Sequence, residues 1–488
     1  MTPTLVPDRH TMRPATFVAW LIVATALGLL LRAAFLGRPS FWIDEIFTVL
    51  HTARIGEGNL SKQFGYVPTY ITLWLADALP TRAQGLTPST WAGAGVTETL
   101  VRLPSLVIGV LTIPILGWLA RPIIGARAAV IFAALLAVST WHLHMSQTGR
   151  FYTQQLLFYN MALLLYFRAT SIGSKARLAM AMASLVLAFL SQPTALMIGL
   201  VLGIDWLLGV RRRDPDRLTG WSVVLGGVAA VVCIGILFYD VFNNTNDWSK
   251  FANATSQKPV VIVAGSIWYM NPAVALVAFT GVMTLLQREA RLAIFLGVAA
   301  AAPILTMAAL ALGDNFVHVR YTFVALPAWL MLAAVALDRS CSGKTTETPR
   351  YLSAMPAAVV IVACAYQGVG YYTGGGGYRP AWREAFQELD SKMQPDELVF
   401  GDFHARMIGA YYLHRDAVTE VNHNNLWPQL VKLDRPAWII DKVGTAGGLN
   451  WRRLKRDADL IWYFDRQVLQ PYSSIKLFRY TPEVSEAE

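Results

Sequence analysis

The chain has 488 residues, of which 55% are hydrophobic and only 15% are charged, whereas roughly 25% of the residues in a soluble globular domain are charged. This composition excludes an ordinary soluble protein and indicates a membrane protein with an additional part outside the bilayer. The net charge of +10 does not indicate nucleic-acid binding, because the basic residues cluster in short loops between apolar segments, as membrane topology requires.

Apolar segments long enough to cross about 30 Å of hydrocarbon recur along most of the chain. The sequence therefore predicts a polytopic α-helical membrane domain over residues 1–372. We place about eleven transmembrane helices in it. They lie near residues 15–36, 100–120, 128–145, 153–168, 178–193, 194–210, 220–240, 260–286, 292–312, 323–338 and 351–371.

Arginine and lysine residues occur mainly in alternate loops between these segments, as in the run Arg211–Arg213 and in the loop that holds Arg121 and Arg127. Cytoplasmic loops of membrane proteins are enriched in these residues, so the pattern places the N-terminus in the cytoplasm and the C-terminus outside. We therefore expect a multi-pass protein of the inner (cytoplasmic) membrane with a periplasmic or extracellular C-terminal domain.

The first outer loop, residues 37–99, is much longer than a simple connection. It opens with FWIDEIFTVL, in which Asp44 and Glu45 stand among aromatic and aliphatic residues. It continues with FGYVPTYITLWLADALP, whose apolar positions predict a helix lying in the membrane interface. On its own, the acidic pair is explained more simply as the cap of a helix that starts near Ile46 than as a catalytic site.

Three arginines, Arg102, Arg150 and Arg320, lie close to predicted outer membrane boundaries. Charged side chains at this depth are costly, so they usually have a partner or a function. The alternative for each is an interfacial arginine that reaches the lipid headgroups, with a nearby tyrosine in the aromatic belt.

The tail, residues 373–488, differs in kind from the rest of the chain. The sequence GGGGY at 374–378 predicts a flexible joint. Helical spacing in RPAWREAFQELDSKM is followed by ELVFGDF, PAWIIDK and IKLFRYT, which are typical of short strands. This alternation predicts an extracytoplasmic α/β domain with its own core.

The order of these motifs resembles a known family. WIDE after the first span, VRLPS…G at the second, SQTGRFY before the fourth and VRYTFVALP at a late span resemble polyprenyl-phosphate-sugar glycosyltransferases of the GT-C superfamily. That group includes protein O-mannosyltransferases, lipid A aminoarabinose transferases and galacturonosyltransferase-like proteins. The resemblance covers most of residues 15–400 and implies a GT-C-type fold with an outer C-terminal α/β domain.

The resemblance also implies roles for individual residues. Asp44 would be the catalytic base that takes the proton from an acceptor hydroxyl, and Glu45 would orient the acceptor or a cation. Arginine suits the donor phosphate because a guanidinium can bind phosphate through two parallel hydrogen bonds. The implied phosphate ligands are, in order of preference, Arg320 with Tyr321, Arg150 with Tyr152, and Arg102.

The chain departs from the family pattern where metal binding is concerned. Many relatives carry a second acidic residue at the start of the fourth span, where this chain has Gln154 and Gln155. His142 and His144 are weak candidates for holding a cation, since no full ligand set is visible. Two interfacial polar histidines are the simpler explanation. Two alternatives therefore stay open, an enzyme without a cofactor and one that uses a divalent cation.

The sequence thus predicts an inverting glycosyltransferase that moves a sugar from a polyprenyl-phosphate carrier to a hydroxyl acceptor on the outer face of the membrane. The expected partners are the lipid-linked donor, the hydroxyl acceptor and the lipid bilayer, with no nucleic acid. The alternatives are a transporter or flippase of a lipid-linked substrate and an inactive binding subunit with the same fold. Neither the sugar nor the acceptor, which could be a glycan, a lipid or a protein, follows from the sequence.

Overall fold

The computed structural model describes residues 12–56, 64–80, 87–211, 228, 257–312, 317–342, 350–373, 379–422, 425–442, 458–464 and 475–482. These residues form helices and one small sheet. The α-helices are α1 (Pro14–Ala33), α2 (Ile43–Gly56), α3 (Val67–Leu75), α4 (Pro88–Trp91), α5 (Glu98–Ile124), α6 (Ala126–Val138), α7 (Thr140–Ser146), α8 (Tyr152–Ile172), α9 (Lys175–Ser191), α10 (Ile198–Arg211), α11 (Pro259–Met270), α12 (Pro272–Leu286), α13 (Ala290–Leu310), α14 (Leu326–Ser342), α15 (Arg350–Thr373), α16 (Trp382–Lys392), α17 (Phe403–Leu413) and α18 (Leu426–Leu430). Short 3₁₀ helices cover Phe64–Tyr66, Pro193–Met197 and Val319–Ala325. The strands are β1 (Leu398–Gly401), β2 (Val418–Glu420), β3 (Ala437–Lys442), β4 (Asp459–Phe464) and β5 (Ile475–Tyr480).

The chain divides into two compact units. The first comprises Met1–Ala34, Ser105–Gln147 and Phe151–Gly370, and the second comprises Phe35–Pro104, Thr148–Arg150 and Tyr371–Glu488. Residues of the long outer loop and of the C-terminal tail therefore belong to one unit. The domain boundary near residue 373 stays a prediction.

Helices lie at every predicted span that the structure describes. The span at 220–240, apart from Val228, and the joint at 374–378 lie outside the described residues. Within the described part of the chain, five helices are long and apolar enough to cross a membrane, or up to seven if each of two bent pairs is one span. The predicted polytopic helical fold with a small C-terminal sheet is confirmed, while the number of spans stays a prediction.

The two bent pairs break at residues that do not favour a continuous helix. α6 and α7 meet at 58° around Ser139, whose backbone is extended and whose hydroxyl accepts from the His142 N–H at 3.4 Å. α11 and α12 meet at 91° around Asn271, which has a φ of 81° and precedes Pro272. Because a proline disfavours the helical conformation of the residue before it, the sequence itself specifies this second break.

A charged cluster joins three helices of the first unit. Arg291 in α13 donates from Nε and Nη2 to the two carboxylate oxygens of Asp205 in α10, at 2.9 and 2.7 Å. The same guanidinium donates to Thr170 at 2.7 Å and to Ser171 at 3.3 Å, both in α8. Bidentate pairing of this kind is among the stronger side-chain interactions, and it fixes these helix ends to one another.

The sheet of the second unit has the strand order β2–β1–β3–β5–β4. β1 pairs in parallel with both β2 and β3, whereas β5 pairs antiparallel with β3 and β4. The strands predicted in ELVFGDF, PAWIIDK and IKLFRYT and the helix predicted before them are confirmed as β1, β3, β5 and α16.

The outer loop contributes to the same hydrophobic core as the sheet. Phe41, Ile46, Leu73 and Trp91 are buried in one cluster with Trp382 of α16 and with residues of β1 and β3. The loop is therefore a structural part of the second unit, because its apolar side chains are removed from water only in this shared core.

The predicted interfacial helix is present as the turn Phe64–Tyr66 followed by α3. Ile71, Trp74 and Leu75 on α3 are 46%, 61% and 72% exposed. An exposed apolar face of this kind suits a helix at the membrane interface, although its place in the membrane stays a prediction.

Candidate functional site

Asp44 and Glu45 both lie in the first turn of α2, but in different surroundings. Glu45 is fully buried, whereas Asp44 is half-buried. The helix begins at Ile43, and a Glu45 carboxylate oxygen accepts from the Trp42 N–H at 3.4 Å. An acidic residue at this position caps the start of a helix. The capping explanation therefore applies to Glu45 and not to Asp44.

Glu45 is held by an arginine and a backbone amide. Arg102 donates from Nε to Oε1 at 2.8 Å and from Nη2 to Oε2 at 2.7 Å, and the Gly149 N–H donates to Oε1 at 2.8 Å. Nη1 of Arg379 lies 3.6 Å from Oε1. Burial would raise the pKa of Glu45, but the charges of Arg102 and Arg379 and these hydrogen bonds outweigh it, so the pKa lies below its ordinary value.

These contacts favour a structural role for Glu45, and the role that the resemblance implies stays a prediction. The resemblance implied a residue that orients the acceptor or a cation. The structure instead shows a fully buried carboxylate whose oxygens accept from Arg102, Gly149 and Trp42. Such a group stabilises the local fold and is not exposed to an incoming substrate.

The surroundings of Arg102 likewise differ from those of a phosphate ligand. Its Nη1 donates to the carbonyls of Leu36 and Pro39 at 2.9 and 2.8 Å, and its Nη2 donates to the carbonyl of Ser40 at 2.9 Å. With the two bonds to Glu45, all five N–H groups of the guanidinium are used. Arg102 is fully buried. It therefore fixes the start of the outer loop to α2, and we do not retain it as a phosphate ligand.

Arg379 is a buried member of this cluster that the sequence analysis missed. Its Nη2 donates to the Thr148 hydroxyl at 2.7 Å. Burial and repulsion by Arg102 lower the pKa of Arg379, and Glu45 opposes this effect. The position of Arg379, directly after the GGGGY segment at 374–378, gave no sequence signal of a buried charge.

Gly149 is required by the close approach of backbone segments beside Glu45. A Cβ atom at this position would lie 2.6 Å from a Val101 side-chain carbon and 3.1 Å from the Val101 carbonyl oxygen. The absence of a side chain therefore lets the Gly149 N–H reach the Glu45 carboxylate.

Arg150 contacts the turn of α2 that carries Asp44. Its Nη1 donates to the Asp44 carbonyl at 3.1 Å, to the Thr48 hydroxyl at 3.3 Å and to the Tyr66 hydroxyl at 2.7 Å. The guanidinium also lies 5.4 Å from the centre of the Tyr66 ring. Arg150 is half-buried. Its hydrogen bonds to the Asp44 carbonyl and the Thr48 hydroxyl hold the Asp44 turn in position.

Three of the predicted phosphate-binding residues come together in the first unit. The Arg320 guanidinium carbon lies 5.9 Å from the centre of the Tyr152 ring and 5.6 Å from that of Tyr321. Tyr152 and Tyr321 are buried, whereas Arg320 is half-buried. Two aromatic faces hold this cation in place, and such an arrangement is suited to an anionic ligand.

The structure does not favour His142 as a metal ligand. His142 is fully buried, and its Nδ1 is hydrogen-bonded to Nη2 of Arg32. A permanent positive charge beside the ring disfavours a second cation there. Within the described residues, no group of three or more His, Cys, Asp and Glu side chains could hold a metal ion, and His144 belongs to none.

A second set of polar residues that the sequence analysis missed lies at one end of the sheet. Lys442, the last residue of β3, interacts electrostatically with the carboxylates of Asp402 and Asp44. Burial lowers the pKa of Lys442, and the two carboxylates oppose this shift. No motif indicated Lys442 or Asp402, because each stands alone in the sequence, whereas Asp44 belongs to the WIDE motif.

Comparison with known proteins supports the expected fold. Residues 92–239 match the family model described as dolichyl-phosphate-mannose-protein mannosyltransferase. No curated protein sequence matches the chain significantly.

Solved structures resemble the chain over most of its length. ArnT from Cupriavidus metallidurans in the apo state has a TM-score of 0.57 at 14% identity, covering 95% of this chain and 98% of its own. The same protein bound to undecaprenyl phosphate has a TM-score of 0.56 at 15% identity, with the same coverage. The archaeal oligosaccharyltransferase AglB from Archaeoglobus fulgidus, in complex with an inhibitory peptide and a dolichol-phosphate, has a TM-score of 0.55 at 12% identity, covering 87% of this chain and 69% of its own.

These matches confirm the resemblance to GT-C superfamily glycosyltransferases that the motifs indicated. At 12–15% identity, the solved structures establish a shared fold alone, since one fold can carry several functions.

Proposed function

We propose that this protein is a membrane glycosyltransferase that moves a sugar from a polyprenyl-phosphate carrier to a hydroxyl acceptor. The proposal rests first on the position of Asp44, a half-buried carboxylate in the first turn of α2 whose neighbour Glu45 is neutralised by buried arginines. It is supported by the family model and by two proteins of the same fold that were solved with undecaprenyl phosphate and with dolichol-phosphate.

In the proposed reaction, Asp44 accepts the proton of the acceptor hydroxyl as the hydroxyl oxygen attacks the anomeric carbon of the sugar. The new carbon–oxygen bond forms as the bond to the phosphate oxygen breaks. The polyprenyl phosphate leaves with that electron pair. Attack opposite the leaving group inverts the anomeric configuration.

The other residues in the proposal either bind the donor phosphate or keep the Asp44 turn in position. Arg320, with Tyr321 and Tyr152, would bind the donor phosphate and stabilise the charge that develops on it. Arg150 would keep the Asp44 turn in position through Thr48 and the Asp44 carbonyl. Buried Glu45 and Arg102 would hold the same turn through their ion pair.

The side of the membrane belongs to the proposal as well. The alternation of basic loops supports an outer location for Asp44 and for the C-terminal domain. A cofactor is not required by the proton transfer that we assign to Asp44, and a divalent cation stays an open alternative.

Product analysis tests the proposal directly. The purified protein in lipid nanodiscs is incubated with a panel of undecaprenyl-phosphate sugars, and release of undecaprenyl phosphate and transfer of the sugar are followed by mass spectrometry. We expect turnover of at least one donor and a loss of about 10²- to 10⁴-fold in Asp44→Asn. Asp77→Asn, an exposed aspartate of the same loop, is the matched control and should keep full activity.

Full turnover by Asp44→Asn would refute the base assignment. Translocation of the lipid-linked sugar without cleavage would support a flippase instead. Donor binding without turnover or translocation, by a folded wild-type protein, would support an inactive binding subunit.

A further inference from the structure

The carboxyl ends of β1 and β3 lie side by side at the edge of the sheet where α/β proteins often bind ligands. The two strands are parallel neighbours, with Gly401 opposite Ile440. The chain leaves β1 towards β2 on one side and leaves β3 towards β4 on the other side of the sheet. Ligands of open α/β sheets bind outside the carboxyl ends of the strands at such a change of direction.

Side chains that donate hydrogen bonds and side chains that accept them both lie at this edge of the sheet. Asp402, which follows β1, accepts from the Ala405 N–H at 2.8 Å and lies 3.1 Å from His404 Nδ1. Lys442 ends β3 and interacts with Asp402. The side chains of Asp402 and His404 are 18% and 26% exposed, respectively. The edge therefore offers a carboxylate, an imidazole and an ammonium within reach of solvent.

The same edge lies beside the carboxylate that we assign as the base. Phe403, the first residue of α17, stacks on Phe47 of α2 with ring centres 6.1 Å apart. Phe47 lies three residues after Asp44, so the two share one face of α2. Lys442 also interacts electrostatically with Asp44. The Phe47–Phe403 stack thus brings the Asp44 turn of α2 to this end of the sheet, and the electrostatic interaction of Lys442 with Asp44 agrees with this placement.

We propose that the strand-end surface formed by Asp402, His404, Lys442 and Phe403 is the acceptor subsite, and that the acceptor it takes is a carbohydrate. This inference rests on the proposed function. A sugar ring presents several hydroxyls that both donate and accept hydrogen bonds, and it presents an apolar face. Asp402 and His404 match the hydroxyls, the half-buried pair of Phe47 and Phe403 offers apolar surface to the face, and Lys442 donates to the acceptor oxygen whose proton passes to Asp44.

The proposal predicts different effects of mutations on two activities of the enzyme, transfer to a sugar acceptor and hydrolysis of the donor. Transfer to a sugar needs the whole subsite, whereas transfer of the donor sugar to water needs Asp44, the neighbouring Lys442 and the phosphate-binding residues. A change in Asp402 should therefore raise the KM for the acceptor and leave hydrolysis of the donor nearly unchanged, whereas a change in Lys442 should raise that KM and also lower hydrolysis. A change in Asp44 should reduce both activities.

The test measures both rates with defined probes. Methyl α-D-mannopyranoside, methyl α-D-glucopyranoside and a serine- and threonine-containing peptide are offered as acceptors, with the undecaprenyl-phosphate sugar that the wild type cleaves as donor. We expect transfer to a glycoside probe, and an acceptor KM raised about tenfold or more in Lys442→Met and Asp402→Asn. Lys442→Arg should recover part of the loss, because it keeps a positive charge.

Matched controls exist in the same domain. Lys392→Met and Asp390→Asn change exposed residues that form surface ion pairs, and both should leave the acceptor KM unchanged. Asparagine also caps helices well, so Asp402→Asn should keep α17 folded. Donor hydrolysis within about twofold of the wild type in Asp402→Asn, Lys392→Met and Asp390→Asn would show that the fold is intact.

An unchanged acceptor KM in both Lys442→Met and Asp402→Asn would overturn the subsite. Transfer to the peptide alone, or to water alone, would overturn the assignment of a carbohydrate acceptor. Failure of the wild type to cleave any donor would instead remove the proposed function, and the inference with it.

Discussion

Glu45 and Arg102 form a fully buried bidentate ion pair, with donor–acceptor distances of 2.8 and 2.7 Å. Arg102 lies near the start of α5, and Glu45 lies in the first turn of α2. The other N–H groups of Arg102 bind carbonyls of residues 36–40. One guanidinium therefore fixes the entry to the outer loop and the turn that carries the proposed base.

Removal of one partner of this pair should destabilise the protein strongly. Glu45→Gln leaves Arg102 buried without its counter-charge, and loss of one partner of a buried pair typically costs about 3–5 kcal/mol. We expect a clear fall in the thermal midpoint, measured in detergent by tryptophan fluorescence. The double variant Glu45→Gln with Arg102→Met should recover part of the loss, because it removes both charges.

Glu388→Gln provides the control for this experiment. Glu388 pairs with Lys392 on the exposed face of α16, and exposed pairs contribute about 0–1 kcal/mol. If Glu45→Gln unfolds at the same temperature as Glu388→Gln, the structural role of the pair is wrong.

The same pair predicts a dependence of stability on pH. The pKa of Glu45 is lowered in the folded state, so its contribution is complete above the unfolded pKa of about 4.3 and is lost as the pH falls through the folded value. The difference in thermal midpoint between wild type and Glu45→Gln should be constant from pH 8 to about 5 and shrink at lower pH. A difference that grows with acidification would contradict the sign of this shift.

An experiment can distinguish Arg320 as a ligand of the donor phosphate from a residue that supplies only a positive charge. A lysine keeps the charge but cannot form the planar bidentate contact of arginine. Arg320→Lys should therefore lower kcat/KM for the lipid-linked donor by about tenfold to a hundredfold, with donor hydrolysis and transfer affected alike. Arg127→Lys, which changes a partly exposed ion pair with Asp338, should be neutral. Equal activity of the two variants would exclude Arg320 as a phosphate ligand.

The predicted orientation in the membrane can be tested with cysteine labelling. Cys341 is exposed at the end of α14, on the side assigned to the cytoplasm, and Asp396 is exposed in the C-terminal domain. In a background with Cys233→Ser and Cys364→Ser, a membrane-impermeant maleimide added to intact spheroplasts should not label Cys341. The same reagent should label a protein with Cys341→Ser and Asp396→Cys. The reverse pattern would place the proposed reaction on the cytoplasmic side.

Much of the fold could be predicted because its signals are local. Continuous apolar runs predict spans such as α1 and α13. Short apolar segments between polar ones predict the strands β1, β3 and β5. The strand β2 was missed because three residues carry little signal, and β4 was missed although five of its six residues, DLIWYF, are aliphatic or aromatic. The order of WIDE, VRLPS, SQTGRFY and VRYTFVALP was sufficient to indicate the superfamily.

The sequence by itself determined the membrane class, the helical fold and the short set of residues in which the chemistry had to be sought. Only the tertiary structure decided that Glu45 of the acidic pair is buried against Arg102, 57 residues away, and that Asp44 is the half-buried member. It also brought Arg379 to Glu45 and Lys442 to the neighbouring Asp44. The physical reason is that the cost of a buried charge depends on its partners, and those partners are supplied by packing between distant segments.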